Sequence, residues 1–375
     1  MNKNLSFFLL LLFSTQCTQT NHETTKIDSN SSIQYAERFD IDYQEGYKII
    51  TIDKPWQGSK QSIRYLLYQD SIPKSYQNDN TFIKIKSPVM TIVSNLTTQL
   101  ALMENLEVEN RLIGFAQTQF IYSPNILEKV ESGKIQEVGP DGSLDIESIL
   151  NLNPDIVLAF SSGNENRQLQ KLQELGVKVV MNAGYMETSV LGRFEWIKFL
   201  GHLFGEESRA SEFFDEKVIV YDSLLQLVKE RNRPSVITGT LYGGTWYMPA
   251  GKNYGANIIA DAGGDYLWNE DEGTGWLSMD FESVFEKAYN ADYWIGVASF
   301  ESLNSILEAD ARYGDFKAFK EKNVYTNNWR KGAKGGSEFL ELGYLRPDII
   351  LADLIKIMHP NTLPQHELYF HKQLE

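Results

Sequence analysis

From residue 89 onward the chain alternates short β-branched runs with helix-spaced apolar patterns, and it does so in two series. The first reads "VMTIVS", a helix over 97–105, "LIGFA", a helix over 146–152, "DIVLAF", a helix over 165–175, then "VKVVMN". Runs that are apolar throughout, each followed by a helix, belong to parallel sheets covered on both faces. The second series opens at "PSVITGTLY", passes through "WYMPAG", a helix around 257–262, "ADYWIGVA" and "NVYTNN", and closes with a helix near 346–358. The pattern predicts an α/β fold of two Rossmann-like lobes with mainly parallel sheets. Between them, apolar residues are spaced for helices over 187–232, almost without interruption from 207 to 231. At 1.5 Å per residue that stretch is about 35 to 40 Å long, enough for one long α-helix to join the lobes. Ahead of both series, "IITI" and "IRYLLYQ" flank "DKPWQGSKQS" and read as an antiparallel hairpin. The expected organisation is an N-terminal β-hairpin-like extension over 34–87, a lobe over 88–186, a linking helical region over 187–232 and a second lobe over 233–375.

The first residues carry a different message. Lys3 precedes an apolar run over 5–13 that is too short to span a bilayer, and Cys17, the one cysteine of the chain, follows at once. No intramolecular disulfide can form. Residues 1–16 read as an export signal and Cys17 as a lipid-attachment site, although Gln16 stands where such signals carry a small residue. Residues 17–33 are too polar to fold and read as a tether. The expected product is exported, lipid-anchored to a bacterial membrane and periplasmic. A formal net charge of -15 repels phosphate backbones, so nucleic acid is not an expected partner.

One short segment occurs twice. Leu144-Asp145-Ile146-Glu147-Ser148-Ile149-Leu150 leads into Pro154-Asp155 and a strand; Met279-Asp280-Phe281-Glu282-Ser283-Val284-Phe285 leads into Ala291-Asp292 and a strand. Each Asp suits a helix N-cap and each Glu the first turn, where the helix dipole favours negative charge. A single such glutamate needs no further role; two, one per lobe in the same context, call for one. From about residue 88 to the end, the pattern resembles the cobalamin- and iron-siderophore-binding proteins of ABC importers, the class III proteins whose lobes are joined by one long helix. "RLIGFAQTQF", "NLNPDIVLAF", "LQKLQELGVKVV" and "GKNYGANIIADAGGDY" fall in the family's order and spacing. The resemblance implies that Glu147 and Glu282 dock on arginines of the transporter permease, and that the protein is an ABC-importer component working as a monomer without a cofactor. Arginine forks read carboxylates bidentately, and two separated anchors fix orientation.

Ligands of parallel α/β lobes gather outside the carboxyl ends of the strands. The loops there nominate Ser94, Gln117 and Ser161 from the first lobe and Tyr242, Trp246, Tyr247, Trp329 and Arg330 from the second. Aromatics suit a bulky or flat ligand and a guanidinium suits the anionic oxygens of an iron chelate. An iron-siderophore is therefore the expected cargo, with cobalamin or haem as alternatives; Trp246 and Tyr247 as core residues, and Arg330 as a solvated charge, are the plainer readings. The glycine-rich "KGAKGG" lacks the context of a phosphate-cradling loop and reads as a mobile loop. A relative of the same architecture binds zinc or manganese through imidazole, but no histidine occurs in the first lobe before His202. A hydrolase remains an alternative class, without a zinc-protease motif, a nucleophile elbow or a cysteine in the folded part to support it.

Overall fold

The structure is a computed structural model and describes residues 33–140, 142–161, 166–297 and 300–375. The expected export signal, Cys17 and the expected tether up to residue 32 lie outside the described residues.

The first lobe holds five parallel strands, Ile92–Ser94, Leu112–Phe115, Gln136–Glu137, Ile156–Ala159 and Val179–Met181, in the sheet order third, second, first, fourth, fifth. Their apolar character follows from burial on both sides. Ile92, Ile156, Leu158 and Val180 face one core, while Val93, Val157, Ala159, Val179 and Met181 face another, which is the two-residue period of a strand with both faces covered. The second lobe repeats the plan: Asp265–Tyr266, Ser235–Thr238, Tyr293–Ile295 and Val324–Thr326 run parallel, and Lys372–Gln373 closes the edge antiparallel. The two aspartates that follow the doubled segment do the same job in each lobe. Asp155 accepts the backbone N–H of Met90 (2.8 Å) and Thr91 (3.0 Å), and Asp292 accepts that of Ser235 (2.8 Å), so each ties the start of its lobe's first strand.

The long linking helix is Glu207–Val228, 22 residues and about 33 Å. It buries one stripe: Ala210 and Phe214 join the first core, Tyr221 and Val228 join the second, and Val218 between them packs against both. The helix therefore belongs to both lobes. A second bridge comes from the short helix Glu338–Leu342, whose Glu341 accepts the backbone N–H groups of Tyr122 (2.7 Å) and Ser123 (2.9 Å). Burial pushes the Glu341 carboxyl up to about 7 in spite of those two donors. The glycine-rich turn before it is closed by a bridge between Lys331 and Ser337 and lies flat on the first lobe. A Cβ on Gly336 would sit 2.5 Å from the Ile121 backbone, so the glycines that read as a loop signal serve close approach of two backbones.

The extension is larger than a hairpin. Tyr47–Asp53 and Ser62–Tyr68 pair antiparallel as expected, but Phe39–Gln44 adds a third antiparallel strand and Phe82–Lys86 pairs parallel with Ser62–Tyr68. Its inner face of Ile50, Ile52, Tyr65, Leu67 and Ile85 is part of the first lobe's core, and Phe39 packs edge-on against Trp196 of the linking region at 4.8 Å. The Tyr65 hydroxyl accepts the Met181 N–H at 3.0 Å, so the extension also covers the edge strand of the first-lobe sheet. The entry segment is held by two buried carboxylates. Glu195 accepts the N–H of Gln34 (3.0 Å), Tyr35 (2.8 Å) and Ala36 (2.9 Å), and Glu187 accepts those of Glu37 (3.1 Å) and Arg38 (2.9 Å). Lys198, itself buried, neutralises Glu195 at 2.8 Å.

Candidate functional site

Just past the carboxyl end of Ser235–Thr238 the chain folds into a three-stranded antiparallel sheet, Thr240–Tyr242, Thr245–Pro249 and Trp276–Met279. Thr240 pairs with Tyr247, Tyr242 with Thr245, Tyr247 with Ser278 and Pro249 with Trp276. Directly paired residues share a face, and alternate residues along a strand do too. One face therefore carries Tyr242, Tyr247 and Trp276, which are 81%, 42% and 69% exposed. The opposite face carries Leu241, Trp246, Met248, Leu277 and Met279, which pack into the second core. The result is a sheet with a dry side and an aromatic side turned to solvent.

That parity corrects one nominated residue. Trp246 is fully buried, stacks on Trp294 at 5.6 Å and donates its indole N–H to the Thr238 carbonyl at 2.9 Å. It holds the small sheet onto the lobe and does not face a ligand. Tyr242 and Tyr247 lie on the open side, where Trp276 joins them. Trp276 escaped the sequence reading because its strand is only four residues long and follows the glycine-rich "EGTG"; its alternation "WLSM", polar at Ser278 and apolar at Leu277 and Met279, is the signal that marks an outward tryptophan.

The first-lobe residues are less available. Ser94 is buried and its hydroxyl donates to the Gln99 amide oxygen, so it closes the first turn of the following helix and is not open to a ligand. Gln117 sits in the left-handed region (φ 57°) at the end of Leu112–Phe115, with the exposed Phe120 three residues on. Ser161 is buried and its carbonyl accepts the Tyr185 hydroxyl at 2.6 Å. In the second lobe Trp329 is 39% exposed. Arg330 is neither a free surface charge nor a free anion receptor. Its Nε donates to the buried Glu338, and its guanidinium lies 5.1 Å from the Trp329 ring and 4.4 Å from that of Tyr369, so only its outer nitrogens could meet a ligand.

The doubled segment forms the same local structure twice. Asp145 accepts the Ser148 N–H (3.0 Å) and hydroxyl (2.6 Å), and Asp280 accepts those of Ser283 (both 2.8 Å). These bonds hold both carboxyls below the usual range, led by the Ser148 hydroxyl at Asp145 and by the Ser283 backbone N–H at Asp280. Glu147 and Glu282 then stand exposed in the first turns of Ile146–Leu152 and Phe281–Ala288. They differ in company. Glu282 accepts from Arg312 at 2.9 Å, and that arginine also pairs with Asp310 (2.7 Å) and lies over Phe281 (4.0 Å); Glu147 has no ion-pair partner among the described residues.

The histidines among the described residues are occupied elsewhere. His202 pairs with Tyr43 (3.0 Å) under the extension, His359 with the Gly263 carbonyl (3.2 Å), and His366 (2.7 Å) and His371 (3.1 Å) with Asp353. Burial would raise the Asp353 carboxyl, but His366 and His371 outweigh it and hold the group well below its ordinary value.

Comparisons with known proteins agree with this architecture. A periplasmic binding protein family matches residues 92–328. An uncharacterized lipoprotein of Methanocaldococcus jannaschii is 26% identical over 94% of this chain and 87% of its own length. Among solved structures, the triscatecholate siderophore binding protein of Bacillus subtilis superposes with a TM-score of 0.56 at 17% identity, covering 75% of this chain and 96% of the other. A periplasmic heme binding protein of Pseudomonas aeruginosa gives 0.56 at 19% identity, with coverage of 72% and 93%. With well over half its length matched and two doubly wound lobes joined by one long helix, the chain belongs to the periplasmic binding protein family.

Proposed function

We propose that this protein is the solute-binding component of an ABC importer, capturing an iron-siderophore between its lobes and delivering it to the membrane permease. The observation that carries the reading is the outward aromatic face of Tyr242, Tyr247 and Trp276, positioned at the carboxyl end of the second-lobe sheet where ligands of such folds collect. Three exposed rings on one small sheet offer a flat apolar surface with phenol hydroxyls and an indole N–H at its border. Trp329 and the outer nitrogens of Arg330 add an aromatic ring and positive charge for chelate oxygens. The names of the solved neighbours, which bind a triscatecholate siderophore and heme, support a large chelate over a bare ion. Glu147 and Glu282 are the proposed permease contacts, exposed and identically presented. The tether and Cys17 are the proposed membrane attachment, in keeping with a lipoprotein relative.

Seven tryptophans make the test direct. Titration with a ferric catecholate, a ferric hydroxamate, ferric citrate, haem and cobalamin should quench intrinsic fluorescence with one or both siderophores at the lowest concentration, and Trp276→Phe should lose much of the signal. Tight binding of free zinc with no response to any chelate would overturn the reading; preference for haem or cobalamin would keep the transport role and change the cargo.

A further inference from the structure

The family match begins at residue 92, so the extension stands outside it, and one part of the extension reaches the second lobe. Between Tyr47–Asp53 and Ser62–Tyr68 the chain turns over residues 54–61, closed by Lys54 N–H to the Gln61 carbonyl (3.0 Å) and Ser59 N–H to the Trp56 carbonyl (3.0 Å). The base of the turn is seated on the first lobe. Pro55 is buried, and Trp56 packs against the core that holds Val157, Val179 and Met181. The tip is Gln57, which is exposed. Its backbone N–H bonds to the Tyr185 hydroxyl, which in turn donates to the Ser161 carbonyl at 2.6 Å. Ser161 and Tyr185 follow the carboxyl ends of Ile156–Ala159 and Val179–Met181, so the tip lies at the ligand end of the first-lobe sheet.

From there the side chain crosses to the other lobe. A Cβ built on Gly275 would meet one neighbour within 4 Å, the Gln57 side-chain nitrogen at 3.9 Å. Gly275 precedes Trp276 of the outward aromatic face, and its carbonyl is pinned by the Ala250 N–H and the Asn253 amide, both at 3.0 Å. The lobes therefore touch in two places of contrasting character. In one, the buried Glu341 accepts from Tyr122 and Ser123, Gly336 lies against the Ile121 backbone, and Lys334 pairs with Glu131 at 3.5 Å. In the other, a single exposed amide meets a glycine with no hydrogen bond to the second lobe among the described residues. Parting the first contact strips buried donors of their acceptor, whereas parting the second releases an amide that water satisfies. The lobes should separate first at Gln57.

We infer that the turn over residues 54–61 is a gate on the cargo cleft: it spans from the first lobe to the edge of the aromatic face, and cargo enters and leaves when Gln57 parts from Gly275. The inference rests on the cargo reading proposed above and adds a moving part to it. The contact is made without cargo, so a gate that closes alike on the free and the loaded protein sets how fast cargo exchanges and leaves the affinity nearly unchanged.

The experiment uses the full chain with Cys17→Ser, so that only introduced cysteines react. Gln57→Cys and Gly275→Cys are combined and joined by a short bismaleimide with a reducible link, and each single variant treated alike is the control. The probe is the ferric catecholate, followed by stopped-flow tryptophan quenching and by displacement; if the parent answers only to another of the five chelates, that one is used. The linked protein should bind and release the probe about tenfold more slowly than the same protein after reduction, and Gln57→Ala should speed both rates several-fold with the Kd within about twofold. A merely structural role would change the Kd or the urea midpoint and not the two rates together. Failure of the pair to link overturns the contact, and unchanged rates in the linked protein overturn the gate. Faster release with unchanged association in Gln57→Ala would make Gln57 a cargo contact and also overturn the gate. A parent quenched by no chelate overturns the cargo reading and the gate with it.

Discussion

The two lobes share a doubly wound plan but differ in what is laid over it. Over the first lies the extension, a four-stranded sheet that merges with the lobe's core and is fastened by buried or half-buried charge: Glu187, Glu195 and Lys198 at the entry segment, and Lys48, His202 and Glu207 under the sheet. Over the second lies a three-stranded sheet fastened by aromatic packing, with Trp246 against Trp294, Phe281, Tyr313 and Phe316, and with its other face left open. Charge that is desolvated and paired fixes geometry but tolerates no loss of a partner. Apolar packing holds the second sheet without using its outer face, which stays open to solvent. The first lobe is therefore the more firmly fixed side of the molecule, and the second carries the face proposed above to read cargo.

The largest effects should come from breaking the fixings themselves. Glu195→Ala leaves Lys198 buried without its counter-charge and three backbone donors of residues 34–36 without an acceptor, and should cost about 3 to 5 kcal/mol. Trp246→Ala empties the centre of the second lobe's aromatic cluster at a cost of similar size, about 3 to 5 kcal/mol. Urea unfolding followed by circular dichroism measures both. The comparison separates them by ligand: Glu195→Ala should retain chelate affinity at low denaturant, while Trp246→Ala should lose it with the small sheet. Equal loss in both would show that the extension shapes the cargo site.

Next come the open rings. Tyr242→Ala and Trp276→Ala remove exposed aromatics that carry little of the packing, and each should weaken the chelate about ten- to a hundredfold, the equivalent of roughly 1.4 to 2.8 kcal/mol, with no change in the urea midpoint. A shifted midpoint with unchanged affinity would place these rings in the fold and move the cargo elsewhere.

The asymmetry between the lobes was only half legible in the sequence. The central strands of both lobes and the linking helix were, because doubly covered strands are apolar without interruption and the helix keeps its stripe for six turns; the helix Ile146–Leu152 has the bounds its pattern predicts, while Pro124–Glu131 and Leu303–Ala309 were not read as helices. The outward and inward faces of "TWYMP" were not, since alternation shows that Trp246 and Tyr247 point opposite ways but not which of them meets the core. That depends on Phe281, Trp294, Tyr313 and Phe316, distant in sequence. The same holds for the clamps: Glu195 accepts from the backbone of residues 34–36 about 160 positions away, and nothing local marks it. The outer strands of the extension are short and half polar, so "FDIDYQ" and "FIKIK" read no more strongly than loop.

A smaller effect tests the charge under the extension. Burial would raise the Glu207 carboxyl, but the hydrogen bonds from His202 and Lys48 outweigh it and bring the group from 4.5 to about 2. A folded value below the unfolded one gives stability that is present above pH 4.5 and lost as pH falls toward 2. With Glu207 a third exposed, solvent screening trims the contribution to about 1 to 2 kcal/mol. Glu207→Gln should therefore be less stable than the parent at neutral pH and lose less between pH 4.5 and 2 in a denaturant series. Parallel curves would mean that the Lys48 and His202 contacts are not made in solution.

The smallest effect concerns the doubled segment, where the lobes look most alike. Asp145 and Asp280 cap their helices in the same way, so Glu147 and Glu282 are offered with the same geometry, yet Glu282 is already held by Arg312 and Glu147 is held by nothing described. If both glutamates meet arginines of a permease, the second-lobe contact begins as an exchange of one arginine for another, and its net gain is smaller. Glu147→Ala should accordingly weaken permease association more than Glu282→Ala, and Arg312→Ala should tighten it by no more than about fivefold, the scale of an exposed ion pair. Association of the anchored protein with permease in nanodiscs, measured at two salt concentrations, reads all three. Weaker association in Arg312→Ala would reverse the argument: the arginine would then be the part that aims Glu282 outward, held in place by Asp310 and the Phe281 ring.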